Sequence, residues 1–259
     1  MTSVSRVFTE NKSANKETLI GYFPAGYPNL EASLEACQAM CENGIDILEL
    51  GVPYSDPVMD GAVIQAATEQ ALQAGFKLKD LFPLLAELTS KVDTPVLVMT
   101  YWNPVVQYGI ERFARDLKAA GGAGLITPDL IVDEAGEWLR ISDELGLDRV
   151  FLATPSSSQE RINKVVEVSR GFVYTVSTMG ITGARDDLDA KARSVVKKIR
   201  QASSGQNTAV GIGISLRSQV AEVNEYADGA IVGSVFVRAF ANGGVSELVE
   251  QTKKLSQQD

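Results

Sequence analysis

Apolar runs of strand length alternate with amphipathic segments of helix length about eight times along this chain. The strand-like runs are Leu19–Phe23, Ile45–Leu50, Val96–Tyr101, Gly124–Thr127, Val150–Thr154, Phe172–Ser177, Ala209–Ile214 and Gly229–Gly233. Between them lie segments such as Leu30–Asn43, Ile110–Ala120, Asp133–Leu145, Ser158–Arg170 and Leu188–Ala202, with apolar residues at three- and four-residue spacing. Strands that alternate with helices pair in parallel, because each helix carries the chain back to the same end of the sheet. About eight such units in 259 residues suit a closed (β/α)8 TIM barrel. An open doubly wound sheet is the competing arrangement. It prefers a Gly-x-Gly-x-x-Gly turn near the first strand, and the sequence has none there. No Ser/Gly-rich linker or shift in composition divides the chain, so residues 1–259 are expected to form one domain.

In such a barrel the reactive side chains gather where the strands end, on the loops that follow. Those loops carry Pro24-Ala25-Gly26, the Glu49–Gly61 segment, Tyr101-Trp102-Asn103-Pro104, Thr127-Pro128-Asp129, Ser177–Arg185, Gly211–Ser215 and Gly233-Ser234. The opposite turns, such as Ala119–Ala123 and Leu145–Leu147, are plain connections. The chain has no histidine, so proton transfer near neutral pH falls to carboxylates, tyrosines or lysines. Glu49 ends an apolar strand, where its charge must leave water. Burial raises a carboxyl pKa and suits a general acid/base; a carboxylate satisfied by loop amides is the alternative. Asp56 and Asp60 follow it across a loop broken by Pro53 and Pro57.

Glycines at the ends of the last two strands, Gly211 with Gly213 and Gly233 before Ser234, let an anion approach backbone amides at helix starts. Relief of crowding inside the barrel is the other reason to place Gly211 and Gly213 there. Ser177–Arg185 is rich in small and hydroxyl residues, a composition fit for a closing lid or for an ordinary loop. A Schiff-base lysine is missing from the strand ends: Lys77, Lys79, Lys118, Lys164, Lys197 and Lys198 fall on helices or turns. Without histidine a zinc site is disfavoured, and Cys37 and Cys41 read as buried thiols on one helical face. With 33 acidic against 24 basic residues, the net charge of −9 argues against nucleic acid or an anionic membrane as partner. No run approaches a transmembrane helix and no signal-like N-terminus is visible, so a cytoplasmic protein is expected.

From about Leu19 to Gly244 these segments resemble the alpha subunits of tryptophan synthase, the indole-glycerol-phosphate lyases. The resemblance rests on Leu48-Glu49-Leu50-Gly51-Val52-Pro53-Tyr54-Ser55-Asp56-Pro57, on Asp60-Gly61 with Ile64-Gln65, on Gly180-Ile181-Thr182-Gly183, and on Gly211-Ile212-Gly213 with Gly233-Ser234. It implies a (β/α)8 fold and retro-aldol cleavage of indole-3-glycerol phosphate to indole and glyceraldehyde 3-phosphate, without a cofactor. Glu49 then matches the catalytic acid/base and Asp60 the acid facing the indole N–H. Tyr174 matches a tyrosine beside the substrate, and Tyr22 and Tyr101 match aromatic residues around the indole. Thr182 matches a lid residue that bonds the aspartate, and Gly183, Gly213, Gly233 and Ser234 match backbone phosphate contacts.

The resemblance also implies a partner, a pyridoxal-phosphate beta subunit in an alpha2beta2 heterotetramer that receives the indole. Asn103-Pro104 and the loop Pro128–Val132 match the surface that meets it. Met59 stands where many relatives have alanine, Ala62 where many have proline, Ile212 where a phenylalanine is common, and Thr178 where some lids carry arginine. None of these departures touches an acid. Two other readings compete: a stand-alone lyase releasing free indole, and an idle barrel that only binds and activates a partner.

Overall fold

The computed structural model describes residues 3–176, 185–211 and 213–256. Nine parallel strands form one sheet, in the order β5-β4-β3-β2-β1-β9-β8-β7-β6. They are β1 (Leu19–Pro24), β2 (Ile47–Gly51), β3 (Val96–Met99), β4 (Gly124–Ile126), β5 (Asp148–Val150), β6 (Leu152–Ala153), β7 (Val173–Val176), β8 (Thr208–Gly211) and β9 (Gly229–Val232). The expected fifth strand is split at Phe151. Its first half pairs with β4 (Ile126 opposite Val150) and its second half with β7 (Leu152 opposite Tyr174), so the sheet closes through the chain itself. The strands thus form the expected barrel, with eight positions around the ring.

Strand alternation sorts the apolar residues into two layers. Ile20, Ile47, Leu97, Ile126, Val150, Phe172, Ala209 and Ile231 cluster in the interior. Phe23, Leu48, Leu50, Val98, Leu125, Phe151, Val173 and Val232 instead join the cluster that includes the helix side chains. The helices are α1 (Ser3–Ser13), α2 (Leu30–Glu42), α3 (Ala62–Gln73), α4 (Leu81–Thr89), α5 (Trp102–Tyr108), α6 (Ile110–Ala119), α7 (Gly136–Leu145), α8 (Gln159–Val168), α9 (Arg185–Ala202), α10 (Arg217–Asn224) and α11 (Ser234–Ser256). Local chemistry fixes their ends. Asn29 caps α2 by accepting from the Ala32 N–H at 2.9 Å, Ser158 caps α8 through the Arg161 N–H, and α7 stops at left-handed Gly146. Cys37 is buried and Cys41 half-buried on α2, and burial pushes both thiols up, that of Cys41 to about 12.

Helix α1 precedes the first strand and has no place in the repeating pattern. Its Val4 and Phe8 are buried in the interior cluster at the N-terminal end of the strands, with the Phe8 ring edge-on to Phe172 at 5.8 Å. The barrel floor is therefore sealed by apolar side chains from outside the barrel. Among the described residues, no helix is long and apolar enough to cross a membrane.

Phe8→Ala should cost about 3–5 kcal/mol, the usual loss for a buried phenylalanine truncated in a core. Urea unfolding at constant pH checks this. A loss well under 1 kcal/mol would show that α1 merely rests against the floor.

Candidate active site

Above the sealed floor, three inward positions carry a larger or more polar residue than the one below, and the next inward positions of β8 and past β9 carry glycine, Gly211 and Gly233. In β1 the order is Ile20 then Tyr22, in β2 Ile47 then Glu49, and leading into β7 Phe172 then Tyr174. Tyr22 and Glu49 are register partners on adjacent strands. Tyr174 follows on β7, and Tyr101 sits just past β3 as the residue before α5. Asp60 comes from the loop between β2 and α3, immediately before the Gly61 cap.

The electrostatics show that these groups share one space. The hydroxyls of Tyr22 and Tyr174 are raised first by burial and then by the negative charges of both Asp60 and Glu49. Tyr101 is pushed up to about 12, again by burial first and then by Asp60. Tyr22 and Tyr174 therefore lie near both carboxyl groups, and Tyr101 lies near Asp60.

The two acids differ in kind. Glu49 is fully buried, and neither carboxyl oxygen has a hydrogen-bond partner among the described residues. Desolvation alone lifts its pKa from 4.5 to about 8. Asp60 is partly exposed, and desolvation lifts it from 3.8 to about 6. At neutral pH Glu49 therefore holds its proton while Asp60 is charged. Separated pKa values of this kind assign an acid and an anion to one site.

Glycines make room for the tyrosines. A Cβ on Gly51 would lie 2.2 Å from the Tyr22 hydroxyl oxygen, and one on Gly211 would lie 2.9 Å from that of Tyr174. Relief of crowding is thus a sufficient reason for Gly211. Gly213 differs: a Cβ there meets nothing within 4 Å, but its φ of +71° is left-handed backbone that glycine adopts freely. Gly213 is exposed, and Gly233 with Ser234 forms the start of α11, so both glycines lie on the rim with backbone near solvent. Thr182 and Gly183 lie outside the described residues, as do Thr178 and Ile212. Lys118, Lys164, Lys197 and Lys198 lie on the surrounding helices, away from the strand ends. Among the described residues, no group of three histidine, cysteine, aspartate or glutamate side chains could hold a metal ion.

The rim also contains a group that sequence reasoning missed as a unit. The loop after β3 folds into α5, whose first amide, Trp102 N–H, donates to both Asp129 oxygens at 2.8 and 3.1 Å. Asn103 Nδ2 donates to the Tyr54 hydroxyl at 3.2 Å, and the Tyr54 and Tyr101 rings lie 5.2 Å apart. The loops after β2, β3 and β4 are thereby tied together. The sequence signals for this were the concentration of Tyr, Asn and Asp beside prolines and the resemblance that puts Asn103 and the loop Pro128–Val132 on one surface, neither of which gave the tie to Tyr54.

The family model described as tryptophan synthase alpha chain matches residues 8–259. The tryptophan synthase alpha chain of Leifsonia xyli subsp. xyli is 59% identical over 246 residues, covering 95% of this chain and 94% of the relative. That of Nocardia farcinica is 51% identical over 240 residues, covering 93% and 90%. In a crystal structure of tryptophan synthase from M. tuberculosis, in its aminoacrylate-bound form, one chain superposes with a TM-score of 0.91 at 45% identity, covering 99% of this chain and 98% of that one. A chain of the tryptophan synthase complex from Pyrococcus furiosus gives a TM-score of 0.84 at 32% identity, covering 93% and 98%.

The burial of Glu49 sets a pH dependence of stability. Between pH 4.5 and about 8 the folded chain keeps a proton that the unfolded chain has released, so this group destabilises the fold increasingly as pH rises through that window. Glu49→Gln should therefore gain stability over the wild type as pH rises, with the gain levelling off above about pH 8. Urea unfolding of both proteins near pH 5 and near pH 8.5 checks this, and an unchanged difference would mean that the carboxyl is well solvated.

Proposed function

The chain belongs to the tryptophan synthase alpha chain family, and from that premise we propose how its residues carry out the lyase reaction of an alpha subunit. The substrate is indole-3-glycerol phosphate, and the products are indole and glyceraldehyde 3-phosphate. The observation that carries the residue assignment is the pair of carboxyls on one barrel rim, one protonated and one charged at neutral pH.

Glu49, holding its proton, is the group to protonate C3 of the indole ring. The ring nitrogen then carries positive charge and its N–H faces the Asp60 carboxylate, which stabilises that charge. The carbon–carbon bond breaks as the side-chain hydroxyl loses its proton. Its electron pair becomes the aldehyde carbonyl, and the bond's electrons return to the ring. Glu49, now a carboxylate, takes the hydroxyl proton and ends as it began. One proton moves from oxygen to carbon, with no oxidant and no cofactor. Tyr22, Tyr101 and Tyr174 form the walls for the indole. Backbone amides at Gly213, Gly233 and Ser234 receive the phosphate beside Gly211, and the roles the resemblance implies for Gly183 and Thr182 fall on residues outside the described ones.

Residues 1–259 act as one cytoplasmic unit in this reading. It works in an alpha2beta2 complex that passes indole to a pyridoxal-phosphate beta subunit. The loops tied together around Tyr54, Asn103 and Asp129 support a docking face there, and Val58, Val106 and Ile131 on the same rim are exposed. The M. tuberculosis and P. furiosus relatives are themselves described as tryptophan synthase and a tryptophan synthase complex.

The reaction needs Asp60 ionised and Glu49 protonated, so kcat/KM should rise through about pH 6 and fall through about pH 8. The substrate phosphate also titrates at about 6, so Asp60→Asn is compared in parallel to isolate the aspartate's share. Glu49→Gln should lose roughly 10²–10⁴-fold in turnover. Steady-state cleavage of indole-3-glycerol phosphate across pH tests both, and a variant within tenfold of wild type would remove Glu49 from the chemistry.

Gly213→Val should weaken binding of inorganic phosphate and glyceraldehyde 3-phosphate, since a branched side chain at left-handed backbone must turn the amide away. Calorimetric titration with both ligands reads this directly. Unchanged affinity would place the phosphate elsewhere.

A further inference from the structure

The loop that delivers Asp60 has little structure of its own. From Val52 to Asp60 it contains neither helix nor strand, and Ser55, Asp56 and Val58 are exposed. Its root is held by the Val52 N–H donating to Met99 O at 2.8 Å, and its far end by Gln65 Nε2 donating to Asp60 O at 2.8 Å. Across the gap, the described side-chain bonds to other elements are Asn103 to Tyr54 and the Met59 N–H to the Tyr101 hydroxyl at 2.9 Å. Only the second of these acts on a residue adjacent to Asp60.

Tyr101 suits that task because its own position is fixed. Thr100 N–H donates to Ile126 O at 3.1 Å on one side, and Trp102 N–H donates to the Asp129 carboxylate on the other. The Tyr101 side chain is only 6% exposed. Its hydroxyl oxygen accepts the Met59 N–H. We propose that the Tyr101 hydroxyl is a positioning group for the reaction: by accepting the Met59 N–H it pins the loop and sets where the Asp60 carboxylate meets the substrate ring. This rests on the role given to Asp60 above. It assigns the hydroxyl a task separate from that of the ring, which lines the indole space.

The prediction separates oxygen from ring. Tyr101→Phe keeps the ring and removes the acceptor, leaving Met59 N–H unpaired and Asp60 free to move towards water. Turnover should fall by up to about 10²-fold, the scale expected for an ångström of misplacement, with KM little changed. The acid limb of kcat/KM should move below that of the wild type, because a better-solvated Asp60 titrates nearer its ordinary range. Among the described residues, the titratable groups facing Asp60 are Tyr22 from β1, Glu49 from β2, Tyr101 itself and Tyr174 from β7, and all but Tyr101 are intact in this variant. Tyr101→Leu, which removes the ring as well, should additionally raise KM. Thermal unfolding of both variants confirms that they are folded.

Asp60→Asn in the same pH series separates the two assignments. An acid limb reduced in Asp60→Asn to the share of the substrate phosphate, with a shifted limb in Tyr101→Phe, supports the proposal. The same reduction with a wild-type profile in Tyr101→Phe overturns the positioning role alone. An acid limb in Asp60→Asn identical to that of the wild type overturns the role of Asp60, and the positioning of it by Tyr101 falls with it.

Discussion

A parallel sheet closed on itself leaves one narrow interior, and every inward side chain competes for it. This crowding governs the rest of the molecule. At the floor it is met with branched and aromatic apolar residues and with two side chains borrowed from α1. Higher up, the tyrosines Tyr22 and Tyr174 fit only because Gly51 and Gly211 present no side chain to them. The interior is thus filled by pairing its largest residues with its smallest.

Sealing the floor has an electrostatic effect at the rim. Glu49 lies one inward step above Ile47, far enough inside to lose its water and find no donor among the described residues. Asp60 reaches the same space from a loop and keeps part of its solvent contact. Depth therefore widens the ordinary gap between the two acids, 4.5 against 3.8, to about 8 against about 6. No histidine or metal is required to obtain a proton donor and an anion side by side. The cost is an unpartnered buried carboxyl, a group that stability by itself would not select.

The architecture was legible in the sequence because alternation is a property of whole segments, and eight repetitions outweigh local exceptions. Glu49 was legible for the opposite reason, as a single charge breaking an apolar strand. What escaped was whatever depends on contacts between distant segments. Helix α1 carries an ordinary amphipathic pattern, and nothing local says that Phe8 meets Phe172. The break at Phe151 occurs within a continuous apolar run. Asn103 and Tyr54, or Met59 and Tyr101, lie in loops whose pairing is set only when neighbouring strands are aligned. Gly211 and Gly213 look equivalent in sequence, yet one yields space to a tyrosine and the other adopts a left-handed turn.

The division of one strand at Phe151 has a further consequence. Elsewhere around the ring, neighbouring strands are separate segments, and their relative offset is set by ladder bonds and by which face is apolar. A one-residue slip between two such strands would turn an entire row of side chains the wrong way. At Phe151 no slip is available, since Val150 and Leu152 are joined by covalent bonds while bonding opposite neighbours. The chain acts there as a key cut to a single setting. Tyr174, opposite Leu152, thereby takes its height in the barrel from the strands on the other side of the ring.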